Sequence, residues 1–368
     1  MSAVTSGRFS WTVVAPAVAL VVLALTWGRS LPTVVAVLVA VPLVGAVLAA
    51  VHHAEVVALR VGEPFGSLVL AVAVTVIEVA LIVTLMVSGG EDTSTLARDT
   101  VFAAVMICLN GIVGLTLLVG SLRHHLAHFN PEGTGSALAT VVTLAGVTLV
   151  LPRFTTSEPG PEFTGEQLAF AAVASLALYG LFVFTQTIRH RDFFLPVGPG
   201  QEGRSDDDGD GHADPPTDRE ALTSLAFLLL ALLTVVGLAK VESKPIEAGV
   251  ASAGLPHAFV GVLIALLVLA PESIAAVRAA NRDEVQTSLN LAYGSAMASI
   301  GLTIPTIAVA SIWLSGPLDL GLTSMQIVLL FMSVLVAILT VVTGRAKPLQ
   351  GGVHLVLFAA FVFLSVSP

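Results

Sequence analysis

Two glutamates stand alone in long apolar runs of this sequence: Glu78 in GSLVLAVAVTVIEVAL and Glu272 in GVLIALLVLAPESIAAV. A carboxylate at membrane depth costs about 2.5–3.5 kcal/mol on insertion scales, so it normally faces a cavity or a partner. Its chemistry is that of a charge to be neutralised, by a proton or by a hard cation that prefers oxygen ligands. On a helix, Ser67, Ala71, Thr75, Glu78 and Ile82 share one stripe, small and polar amid Val and Leu, that should face the protein interior. Pro271 directly precedes Glu272 and frees a carbonyl four residues back. A broken helix there would offer carbonyl oxygens beside the carboxylate. The plainer alternatives are a buried carboxylate satisfied by a neighbouring helix for Glu78, and pairing with Arg278 or Arg282 for Glu272.

Further polar atoms sit at depth in two other runs. CLNGIVGLTLLVGS puts Asn110, Gly114, Leu117 and Ser121 on one helical face. SLNLAYGSAMASIGLTIP puts Ser288, Ser295 and Ser299 on one face, with Asn290, Gly294 and Gly301 on an adjoining one. Small-residue faces usually mean close helix packing, whereas the amides of Asn110 and Asn290 are equally candidates for cation ligands. Near the membrane edges, Glu55 and Glu63 follow His52 and His53, RHHLAHFNPEG carries His124, His125 and His128, and His257 precedes the Glu272 run. Histidine titrates near neutral pH, so Glu55, Glu63 and His257 are candidates for proton relay or access. Solvated interfacial histidines are the duller reading. Asp206, Asp208, Asp210 and Gly211 imitate the start of a calcium loop, but position 12 is Thr217, and Pro215 and Pro216 forbid the exiting helix. No nucleotide, nucleophile-elbow or zinc-protease motif occurs. The reading is therefore of a non-enzymatic protein that needs no cofactor.

The elements that must position these groups follow from composition. Hydrophobic residues make up 55% of the 368 residues and charged residues only 11%, against about 25% charged in a soluble domain. Mean hydropathy is +0.94. The surplus has to face lipid, and 16 scattered Lys and Arg leave nothing basic enough for nucleic acid. The lone Cys108 reads as a small buried hydrophobe. A helix needs about 20 apolar residues to cross a bilayer. About eleven runs qualify, near 11–27, 31–51, 67–88, 100–121, 136–151, 167–187, 221–239, 255–271, 288–312, 325–343 and 352–367. Continuous apolar runs argue for helices over barrel strands, so the fold class is an all-α integral membrane protein. Eleven Lys and Arg fall on one side of the alternating topology and five on the other. That excess places the N-terminus in the cytoplasm and the C-terminus outside. An acidic Gly-, Pro- and Asp-rich stretch at 189–220 reads as a solvated cytoplasmic linker. It separates five spans (31–188) from five more (221–368), after an N-terminal helix within 1–30. An odd number per half makes the halves enter the membrane in opposite directions, an inverted repeat. Glu78 and Glu272 then become counterparts at one shared site.

Two segments carry a family resemblance: HHAEVVALRVGEPFGSLVLAVAVTVIEVALIVTLM and VLAPESIAAVRAANRDEVQTSLNLAYGSAMASIGLTIP. They closely resemble the two α-repeats of the cation/calcium exchanger superfamily, and within it the bacterial calcium/proton antiporters of the ChaA type. LAHFNPEGTGSALATVVTLAGVTLVLP is similar to the segment that follows the first repeat in vacuolar-type cation/proton exchangers. The resemblance implies eleven spans, with spans 2–6 and 7–11 as inverted halves. It also implies exchange of Ca²⁺ for protons in a cell membrane, with Na⁺ and K⁺ as further candidate ions. By this resemblance Glu78 and Glu272 are the repeat glutamates and Asn110 the first-repeat asparagine. From the helix faces read above, Thr75, Ser295, Ser299 and Asn290 complete the expected cation- and proton-binding set. Where the vacuolar-type exchangers carry Gly-Asn-Ala before the glutamate, this chain has Thr75-Val76-Ile77 and Leu269-Ala270-Pro271. The rival readings are a monovalent Na⁺(K⁺)/H⁺ antiporter, a cation channel and an intramembrane enzyme.

Overall fold

A computed structural model describes residues 10–29, 31–62, 65–88, 93–196, 216–313 and 316–368. Glu63 and the calcium-loop imitation at 206–215 lie outside the described residues. Among the described residues, ten helical runs are long and apolar enough to cross a membrane, and a shorter apolar helix, α1 (Trp11–Thr26), precedes them. The eleven expected spans are therefore all present as helices.

The contacts divide the chain into two compact units, Met1–Ser88 with Pro215–Gly249, and Gly89–Asp214 with Val250–Pro368. In the first, α1 packs on α2 (Thr33–Val61), and α2 on α3 (Phe65–Ser88). The long helix α8 (Asp218–Ser252) joins them. Pro16 has no N–H to give to the carbonyl of Thr12. That carbonyl instead meets His53 Nε2 of α2 at 3.1 Å, and the His53 ring stacks on Phe227 of α8 at 5.4 Å. His53 is only 4% exposed, so it pins three helices together, while its neighbour His52 stays exposed. Arg60 and Asp218 pair at one end of this bundle. At the other end Lys240 lies 5.3 Å over the Trp27 ring.

The second unit is built from α4 (Leu96–Met106), a π-helical turn (Ile107–Ile112), α5 (Val113–His124), α6 (Pro131–Ala145) and α7 (Gly165–Phe184). To these it adds α9 (Phe259–Asn281), α10 (Val285–Gly301), α11 (Thr303–Ala310), α12 (Ser324–Val341) and α13 (Pro348–Val366). Local sequence sets several starts: Thr164 with Gln167 and Thr323 with Gln326 form capping boxes, and Asn130 caps α6 ahead of Pro131. Small residues let α5 and α13 touch through backbone. A Cβ on Gly114 would lie 3.1 Å from the Gly351 carbonyl, and one on Gly351 2.8 Å from the Gly114 carbonyl. A two-residue antiparallel pair, β1 (Ala127–His128) with β2 (Arg345–Ala346), ties a loop of the first half to one of the second.

Three expectations change. α2 continues ten residues beyond the apolar run ending at 51, and α8 runs on through Lys240, Glu242 and Lys244 to Ser252. Charged side chains end a hydropathy window without ending a helix. Pro271 does not break α9, which continues as one helix to Asn281; the proline removes only the donor to the carbonyl of Leu267. The run expected at 288–312 is instead two helices, α10 and α11, divided at Leu302.

Candidate cation and proton site

Glu78 is the fourteenth residue of α3, and Glu272 the fourteenth of α9. Both are buried, 2% and 8% exposed. On α3 the expected stripe turns inward: Thr75, Glu78 and Ile82 are all buried. The Ser67 side chain lies outside the described ones. Glu272 does not end its span near the arginines; Arg282 pairs with Glu284 at 3.1 Å instead. Immediately after it, Ser273 returns its hydroxyl to the carbonyl of Leu269 at 2.7 Å.

Asn110 is fully buried in the π turn of the Leu96–His124 span. Such turns recur at functional sites because they leave the regular i to i−4 ladder. Its Nδ2 donates to Ser333 Oγ of α12 at 2.8 Å, and its Oδ1 lies 3.4 Å from His354 Nδ1 of α13. His354 Nε2 is in turn 3.3 Å from Thr340 Oγ1. A carbonyl oxygen has two lone pairs, so Oδ1 keeps acceptor capacity beyond His354.

On α10, Ser299 is buried and Ser295 half-buried one turn before it. Asn290 is already engaged: its Oδ1 accepts from Gln286 Nε2 at 2.8 Å, and its Nδ2 donates to the Phe194 carbonyl at 2.6 Å. Ser288 donates to the Ala276 carbonyl at 2.6 Å. These two residues fasten α10 to its neighbours. Glu55 is half-buried in the last third of α2, and His257 is half-buried in the turn before α9.

Sequence reasoning passed over a polar seam along α12. Gln326, Ser333 and Thr340 recur every seven residues. Gln326 Nε2 donates to Asp99 Oδ1 of α4 at 3.1 Å, and Asp99 also accepts from Arg98 at 2.9 Å. Asp99 is 3% exposed, and the backbone beside it is overlaid by Gly261 of α9, where a Cβ would lie 2.7 Å from the Thr100 nitrogen. The seven-residue spacing of polar residues in an otherwise apolar helix was the available signal. Among the described residues no group of three or more His, Cys, Asp or Glu is arranged to hold a metal ion.

The family model for sodium/calcium exchanger proteins matches residues 31–188 and 223–367, and the chain belongs to that family. It is 45% identical over 365 residues to the putative ionic transporter y4hA of Sinorhizobium fredii (strain NBRC 101917 / NGR234), covering 97% of this chain and 96% of that one. It is 35% identical to the sodium-potassium/proton antiporter ChaA of Escherichia coli (strain K12), covering 94% and 93%. Its fold is that of YfkE, a Ca²⁺/H⁺ antiporter: the native structure superposes with a TM-score of 0.72 at 15% identity, covering 97% of this chain and 99% of that one.

Proposed function

We propose that the protein is a secondary antiporter that exchanges a cation for protons, with Glu78 and Glu272 as the groups that take up one or the other. The observation that carries this is the matched placement of two buried carboxylates, each fourteenth in its helix, one in each half of the chain. Away from water a carboxylate is neutralised by a proton or by a cation, and alternating access then moves whichever is bound. The backbone carbonyl of Leu267, deprived of its helical donor by Pro271, and the hydroxyls of Thr75, Ser295 and Ser299 are the further oxygens offered to a hard cation. Asn110 adds the free lone pair of its Oδ1, held in place by Ser333 and His354.

Ca²⁺ is the cation we favour, because two carboxylates match one divalent charge. A Na⁺(K⁺)/H⁺ exchanger is the second reading, favoured by the 35% identity to ChaA. The excess of Lys and Arg on one side supports a cytoplasmic N-terminus. In inverted vesicles energised by ΔpH, Glu78→Gln and Glu272→Gln are each expected to abolish cation uptake while expression and melting temperature are kept. The double variant should be no worse than either alone, as required if the two serve one site. Normal exchange in either single variant overturns the assignment.

A further inference from the structure

α8 carries a carboxylate that neither the repeat motifs nor the cation site accounts for. Glu242 is 2% exposed and falls on the inward stripe of α8 with Ala231, Val235 and Leu238, all buried. Its Oε1 is buried with no hydrogen-bond partner among the described residues, and no described cation forms a salt bridge with it. The two nearest lysines in sequence point elsewhere: Lys240 is exposed and lies over Trp27, and Lys244 is exposed. The hydroxyl of the adjacent buried Ser243 is spent on the Lys240 carbonyl at 3.0 Å. α1 presents no ionisable side chain, only Arg29 just beyond it, and α2 presents none from Thr33 to Val51. His52, His53, Glu55 and Arg60 lie at the opposite end of α2, beside the half of α8 that holds Asp218 and Phe227. α3 carries Glu78 alone, and α8 itself adds Glu247, half-buried. The charges named around Glu242 do not neutralise it.

The halves confirm that this carboxylate is an addition. Glu55 and Glu247 stand at the same place in a shared pattern, a glutamate seven residues before Gly62 or Gly254, with a proline two further on. In that register Glu242 falls opposite Ala50. Only the second half has it.

We infer that Glu242 is a third proton-binding site, taking up and releasing a proton at the end of the membrane where α1 and Trp27 lie. A hard cation such as Ca²⁺ needs six to eight oxygens, and one carboxylate beside a committed serine does not supply them. A proton needs one oxygen, and it converts the carboxylate into a donor. In the same turn the carbonyl of Val241 has lost its helical donor, since Pro245 has no N–H. The binding of the proton stands by itself; its part in transport rests on the antiport reading above.

Two measurements on the purified, reconstituted full chain separate these. In infrared difference spectra, the wild type should lose a protonated-carboxyl C=O band on raising the pH. Glu242→Gln should lack that band, and Glu242→Asp should show it displaced. An unchanged band set in Glu242→Gln overturns the proton site. So does a wild-type Glu242 band removed by Ca²⁺, Na⁺ or K⁺ at constant pH, which would make the residue a cation ligand. In vesicles, Glu242→Gln should still exchange, with its pH dependence displaced by about tenfold in proton concentration, whereas Glu78→Gln should not exchange at all. An unmoved pH profile overturns the role in transport. Should the wild type not exchange, the antiport reading fails and the infrared result still decides the site.

Discussion

Asn110 illustrates what a buried amide demands inside a membrane: its N–H and its oxygen are both turned to other helices. Replacing Ser333 by Ala leaves the Asn110 Nδ2 only the Met106 sulfur at 3.8 Å, a weak acceptor, and should cost about 1–2 kcal/mol. Ser365→Ala is the control, because that half-buried hydroxyl bonds only to the Phe361 carbonyl of its own helix and should shift stability by a few tenths of a kcal/mol at most. Thermal unfolding in detergent compares the two; equal melting temperatures would show that the seam contributes nothing. The chemistry of single residues was unevenly legible. Glu78 and Glu272 announced themselves as single acids in long apolar runs. Glu242 did not, because Lys240 and Lys244 flank it and the triplet reads as a solvated loop. Asn290 was expected to face a cation, yet its amide holds Gln286 and the Phe194 carbonyl.

At the scale of elements, apolar length made the spans legible, and charge obscured where they end. α2 and α8 outrun their apolar stretches because backbone hydrogen bonding, not hydropathy, ends a helix. The π turn at Ile107–Ile112 has no compositional mark and could not be read from sequence. The approach of α5 to α13 makes a sharp demand. Gly351→Val must push the two backbones apart, since even a Cβ there would stand 2.5 Å from the Leu118 nitrogen. A loss of about 1–3 kcal/mol is expected, together with weaker cation binding if Asn110 loses His354. Melting temperature and the cation concentration at half-maximal exchange read the two effects. The loop between α6 and α7 makes a demand of its own. Partial burial, then the nearby Asp319, pushes the Glu162 carboxyl above its ordinary 4.5. An acid whose folded value is raised binds its proton more tightly when folded, so stability falls as pH rises from the ordinary value through the raised one. Glu162→Gln should flatten that fall, as measured by melting temperature against pH between 4 and 7; an unchanged slope would discount the group.

For the whole molecule, the discriminating measurement is one antiport assay run across Ca²⁺, Na⁺ and K⁺, with proton flux recorded in parallel. Proton-coupled movement of Ca²⁺ supports the favoured reading; coupling to Na⁺ and K⁺ alone supports the second; flux without protons indicates a channel. The spans were legible from apolar length, but the division into two compact units was not, because each unit draws helices from both halves. That interleaving also dictates a timetable. The partners of Asn110 lie on α12 and α13, and β1 waits for β2, which is translated long after it. Until those residues leave the ribosome, the nascent first half holds the Asn110 amide and the β1 edge without their partners. Chains stopped before Ser324 should therefore accumulate poorly and be cleared by membrane proteases, whatever their remaining sequence. The first half is synthesised early, but it is finished only by the last two helices of the second.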